Sequence, residues 1–182
     1  MADQVTAPSA PRNAPGRDAL VAALRAWGVG FLQPGDGAHG PPPPTGSQLL
    51  TQLAESPDPR LRTALAILLV RHPELAEQVP ALVENLIPPT ALTLKQEYTA
   101  AVYLQRMWWS RLRGYLPALV VLPDYFSAEL ALPGPDDRFG KTGLLALSAR
   151  SPTNFWASHD AMIRQLFSQL RFEFGHELAP AG

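Results

Sequence analysis

The chain of 182 residues has a formal net charge of −1, with 46% hydrophobic and 17% charged residues and no cysteine. That apolar content supports one packed domain and excludes a solvated, disordered chain, while the length is too short for two large domains. The near-zero charge gives no overall attraction to nucleic acid or an anionic membrane, and the missing cysteines exclude disulfides, thiolate nucleophiles and cysteine metal sites.

Residues 1–16 are rich in Ala, Pro and Ser and hold almost no large apolar side chain, so ordering them would bury too little surface to offset the entropy lost; a disordered tail is expected. No apolar run follows a basic start, which argues against a secretion signal. The longest apolar runs, Leu65–Val70 and Leu116–Leu122, are far below the ~20 residues that cross a bilayer as a helix. The expectation is a cytoplasmic protein with no membrane segment. Residues 17–32 contain a short helix, Arg17–Trp27, with Asp18 as cap, Leu20, Leu24 and Trp27 on one face, and Gly28 as stop. In residues 33–46, QPGDGAHGPPPPTG, glycines and four consecutive prolines exclude helix and central strand. This is a linker with a polyproline II stretch, and because PPPP lacks flanking basic specificity residues it reads as a spacer before it reads as a docking ligand.

Residues 47–176 are expected to form the helical domain, opening with the apolar Leu49, Leu50 and Leu53. Asp58 is placed to cap a helix whose first residue is Pro59, where the missing N–H is harmless, and Leu61, Ala64, Leu65, Leu68 and Leu69 follow the spacing of one buried face. Pro73 opens a second helix, with Leu75, Val79, Leu82, Val83 and Leu86 along a stripe that Pro80 can kink. Thr93 and Gln96 are spaced as a capping box for a longer helix, the spine of the domain, with Leu94, Tyr98, Ala101, Gln105, Trp108 and Leu112 on one face and Gly114 and Pro117 at its end. Leu116–Leu122 fits either a buried strand or an apolar helical turn, and periodicity does not separate the two at this length. Phe139–Ala149 and Asn154–Phe174 read as the last two helices, with Ile163, Leu166, Phe167 and Leu170 on one side of the final one. The fold class is therefore all-α with about six to seven helices, as a compact bundle or a short HEAT-like array, although no internal repeat of fixed period exists.

Three motifs bear on chemistry. The stretch ALPGPDDRFGKTG, Ala131–Gly143, has the look of a phosphate-binding loop, but such a loop places four residues between its first glycine and Gly-Lys-Thr. Here there are five, Pro135–Phe139, with a proline where a donor N–H is wanted and Asp136 and Asp137 where charge repels phosphate. Lys141 and Thr142 stay as nucleotide candidates behind the plainer reading of a surface loop before a helix. The four histidines, His39, His72, His159 and His176, include no helix-spaced pair, so no metal site is expected; no cofactor and no serine nucleophile motif is indicated either. In YLQRMWWSRLRGY, Arg106, Trp109 and Arg113 share one helical face, joined by Trp108, Arg111 and Tyr115; the plainer reading is that Trp108 and Trp109 straddle the core boundary while the arginines are solvated, and the others are a protein interface, where this composition is enriched, or a surface that stacks nucleic-acid bases.

The segments DPRLRTALAILLVRHPELAEQVPALV, LKQEYTAAVYLQR, LPDYFSAELALP and NFWASHDAMIRQLFSQL resemble a family of small uncharacterised helical proteins of filamentous phototrophic bacteria and their relatives, encoded beside a minimal nucleotidyltransferase. The resemblance spans Pro57 to Leu170 and rests on packing motifs, so it transfers no site residues. It implies an accessory or antitoxin-like subunit that binds a nucleotidyltransferase. A non-enzymatic interaction module is the functional expectation, with a nucleic-acid-binding regulator acting through Arg106, Arg111 and Arg113 as the alternative.

Overall fold

The computed structural model describes residues 16–30, 32, 43–151 and 154–175, and the tail 1–15 and most of the expected linker lie outside the described residues. The described chain is all helical, with eight α-helices: α1 (Arg17–Ala26), α2 (Gly46–Glu55), α3 (Pro59–Arg71), α4 (Val79–Asn85), α5 (Pro88–Met107), α6 (Trp109–Tyr115), α7 (Lys141–Ala149) and α8 (Phe155–Gly175). Pro73–Gln78 and Asp137–Gly140 are 3₁₀ turns. The chain breaks at more points than the apolar pattern indicates. Trp108 leaves helical geometry at φ −111° and ψ 14°, which divides the expected spine into α5 and α6, and the helix expected after Pro73 becomes a 3₁₀ turn followed by α4 with Pro80 in its first turn.

Local chemistry accounts for several starts. The Asp58 carboxylate accepts from the Arg60 amide at 2.9 Å and caps α3, as its spacing requires. The Thr93 capping box does not form, because Pro88 and Pro89 begin α5 five residues earlier, where a proline forfeits no helical hydrogen bond; the Thr93 hydroxyl donates back to the Pro89 carbonyl. A capping box does form at Thr45 and Gln48, with its cap inside the stretch assigned to linker, and α2 begins at Gly46. Asp18 lies in the first turn of α1 and makes no cap, that position being held by Gly16.

α3 is the centre of the core: Leu61 and every residue from Thr63 to Val70 are buried. It packs on both α5 and α8, while α5 also meets α2, α4 and α7. Helices far apart in sequence thus share one core, which is a bundle and not an array in which each unit touches only its neighbours. Leu20, Val21 and Leu24 of α1 belong to the same cluster, so the N-terminal helix is part of the domain.

Leu116–Leu122 is neither strand nor helix. Gln105, fully buried on α5, donates from its amide to the Val120 carbonyl at 3.0 Å and accepts from the Leu122 amide at 2.7 Å, so one side chain serves both backbone groups as a neighbouring strand would. Two tyrosines of α5 continue the attachment: Tyr98 donates to the Pro123 carbonyl at 2.8 Å and Tyr103 to the Pro133 carbonyl at 2.6 Å. Burial and nearby acidic charge push the Tyr103 hydroxyl up to about 12, and the Tyr98 hydroxyl is raised further by burial, Tyr125 and Asp124, so both remain donors at any physiological pH.

Gln105→Leu conserves the volume and strands the buried Leu122 amide and the part-buried Val120 carbonyl, and it should destabilise the fold by about 1–3 kcal/mol. Amide exchange at Leu122 should accelerate more than exchange within α3; an unchanged Leu122 rate would show that Gln105 does not hold the segment.

Candidate functional site

Because Gln105 turns the Leu122 side chain inward, its neighbours face out: Val120 is 65% exposed and Val121 43%, with Tyr125 at 39%. These side chains form one wall of a groove of about 790 Å³. Tyr115, Leu116, Leu119 and Phe174 of α8 also line it, as do Arg71, His72, Glu74 and Glu77 from the end of α3 and the 3₁₀ turn that follows. Arg71 is already paired, Nη2 to Glu173 at 2.9 Å, whereas Glu77 has no cationic partner among the described residues. Glu74 is bonded to His72 Nδ1 at 2.8 Å, so the largely apolar groove carries one unpaired carboxylate among the described residues, Glu77.

The residues of the basic aromatic stretch are distributed over different surroundings. Arg106 pairs with Asp136 at 3.2 Å. Trp108 packs edge-on against Phe167 with ring centroids 5.3 Å apart, and its indole N–H is buried with no acceptor, so Trp108 belongs to the packing of α6 on α8. The Arg111 guanidinium lies 4.1 Å from the Phe167 ring centre, and Arg113 lies 5.8 Å from that of Trp109. The break at Trp108 separates Arg106 from the expected face, while Trp109 and Arg113 stay together on α6 with the guanidinium over the indole. Of the six candidates only Tyr115 lines the groove.

The Gly-Lys-Thr stretch has a packing explanation. A Cβ at Gly140 would lie 2.6 Å from the Tyr103 carbonyl oxygen, and one at Gly143 would lie 2.2 Å from the Tyr103 ring. Gly140 also adopts φ +82°, so both glycines let α7 close onto α5. No strand precedes the loop among the described residues; Lys141 and Thr142 start α7 directly after left-handed turns at Arg138 and Phe139. Among the described residues no three His, Asp or Glu side chains cluster to hold a metal.

One ionisable pair was not foreseen from the sequence. His159 of α8 is completely buried, with Nδ1 2.8 Å from the Phe155 carbonyl and Nε2 2.8 Å from the Glu97 carboxylate of α5. Since the carbonyl can only accept, Nδ1 carries a proton, and Nε2 shares a second proton with Glu97. Burial pulls the imidazole down, but the charge and hydrogen bond of Glu97 and the Phe155 carbonyl outweigh it, and the net shift is upward from 6.5. The pair joins residues 62 apart, and the sequence shows beside His159 only Asp160, which instead pairs with Arg164 one turn on.

No protein-family model, curated protein or solved structure matches the chain.

Two measurements test these assignments. Gly143→Ala should destabilise the domain by about 1–3 kcal/mol through the clash with Tyr103, and Gly143→Ala combined with Tyr103→Leu should recover part of that loss in a urea melt. For His159, a raised folded-state pKa means stability that is fully present below 6.5 and lost as pH rises through the folded value. The unfolding free-energy gap between wild type and Glu97→Gln, on the order of 3 kcal/mol at about pH 6, should therefore narrow as the pH rises above that value. A gap independent of pH would mean that His159 is neutral throughout.

Proposed function

We propose that the protein is a non-enzymatic interaction module that receives an apolar segment of a partner protein, flanked by basic residues, in the groove between the Leu116–Tyr125 segment and the turn at His72–Glu77. The observation that carries this reading is the exposure of Val120, Val121 and Tyr125 side by side in a formed concavity, where solvent contact with apolar surface is most unfavourable. Grooves of this kind take amphipathic helices or extended peptides, and the unpaired Glu77 carboxylate selects a basic flank. The resemblance of the sequence makes a minimal nucleotidyltransferase the first partner to try. The basic aromatic helix supports a nucleic-acid surface less well, since Arg106 is neutralised by Asp136 and Arg111 and Arg113 lie against aromatic rings.

The experiment is co-purification from the native cells with nuclease treatment, followed by titration of the purified partner against wild type and the Val120→Asp/Val121→Asp variant. Both valines are exposed, so the variant should keep its melting temperature, within about 0.5 kcal/mol in stability. It should bind the partner at least about ten-fold more weakly. Equal affinity in the two proteins, or binding that nuclease abolishes, would remove the groove from this role.

A further inference from the structure

A second concavity shares no residue with the groove. It has a volume of about 480 Å³ and lies where the first turns of α1 and α3 meet the first half of α8. Its apolar lining is Leu32 and Met162, both buried, with two alanines of α8. Its polar lining is Arg17, Arg60, Ser158 and Gln165, and among the described residues no Asp or Glu lines it. The volume falls within the range of sites for small molecules, roughly 300–1,000 Å³.

The two arginines differ in what they have left to bind. Arg17 is engaged by Asp58 at 3.1 Å and Asp18 at 3.7 Å, so its charge is answered. The other Asp58 oxygen accepts from the Arg60 backbone amide as the cap of α3, and among the described residues no acidic side chain pairs with the Arg60 guanidinium. The Ser158 hydroxyl and the Gln165 side-chain amide also have no hydrogen-bond partner there. One uncompensated charge, a cation, thus stands at the concavity beside two neutral groups able to donate. The positive ends of the helix dipoles of α3 and α8 add to a field of the same sign.

We propose that this concavity binds a small organic monoanion, a carboxylate with a short apolar body. The carboxylate takes the Arg60 guanidinium, the Ser158 hydroxyl and the Gln165 amide, and the body lies against Leu32, Met162 and the alanines. A single negative charge matches the single open cation. Inorganic phosphate offers nothing to the apolar lining and brings further charge close to Asp58 and Asp18, and an amine would meet the Arg60 cation with no anion to hold it. The site is independent of the groove and stands or falls separately from it.

Titration of the full chain with hexanoate, acetate, hexanol and inorganic phosphate, followed by NMR shifts of Leu32, Ser158 and Gln165, tests this. Hexanoate should saturate these shifts in roughly the millimolar range, with acetate, hexanol and phosphate each at least about ten-fold weaker. Arg60→Gln keeps the backbone amide that Asp58 caps and should lose about ten-fold in hexanoate affinity while hexanol binds as before. Ala161→Glu, at an exposed position of α8, sets a carboxylate at the wall and should weaken hexanoate by a similar factor with the melting temperature kept. No saturable hexanoate shift in the folded wild type, acetate or phosphate bound as tightly as hexanoate, or hexanoate affinity unaltered in either variant would each overturn the proposal.

Discussion

The long segment between α6 and α7 satisfies part of its backbone in turns of its own, such as Leu130 onto Phe126 and Leu132 onto Ser127, and three side chains of α5 serve backbone groups that those turns leave open. A buried carbonyl or amide left without a partner is strongly unfavourable, so an irregular chain can lie on a core only where the core offers polar atoms at the right height. Tyr98, Gln105 and Tyr103 offer them at Pro123, at Val120 and Leu122, and at Pro133. The tyrosines have a second part in this, because each has its ring buried in the core while its hydroxyl reaches the loop. With these anchors the segment has one register: Leu122 and Phe126 point in, and Val120, Val121 and Tyr125 are left to form a wall of the groove. The groove is thus a consequence of how the segment is tied down.

α5 meets its neighbours in two ways along its length. At its middle Glu97 engages His159, which fixes α8 against α5 by a charged hydrogen bond inside an otherwise apolar interface. An ion pair in that setting is weak support for stability, because both charges are desolvated, but it is strongly directional. Sliding α8 by one turn would bury a carboxylate and an imidazole without partners. Farther on, the contact with α7 is made by absence: Gly140 and Gly143 bring the backbone onto Tyr103, so that the tyrosine ring fills the space where side chains would stand. Polar specificity at one point and close approach at the other set the two helices that follow the irregular segment.

What the sequence disclosed depends on the range over which each signal acts. The Asp58 cap, the proline starts and the apolar face of α3 are matters of a few neighbouring residues, and their physics is complete within the motif. Thr93 and Gln96 have the spacing of a capping box too, but two prolines upstream start the helix first, so a correct local pattern is overridden by another local one. The ambiguity at Leu116–Leu122 has a different origin. Whether an apolar run becomes a strand depends on whether another strand is available to pair with it, and the actual partner is a single glutamine 15 residues away in sequence. Nothing in the run itself carries that information. His159 was set aside for the same reason, since its acidic neighbour in sequence points elsewhere and its true partner lies on another helix.

The basic aromatic stretch shows how composition and placement separate. Trp, Tyr and Arg are the residues of interface hot spots, and they are equally the residues that seal the edge of a helical core, where a guanidinium covers an aromatic ring and keeps its charge in water. The break at Trp108 decides between these uses. It swings Trp108 onto Phe167 and leaves Arg111 over the same ring, so that the pair seals α6 to α8. Beyond the end of the helix the groove is lined by the half-buried Tyr115 and then by Val120 and Val121, which are exposed among the described residues. The uncovered stretch is the one with the plainest residues, and its valines stand exposed where Gln105 fixes the backbone.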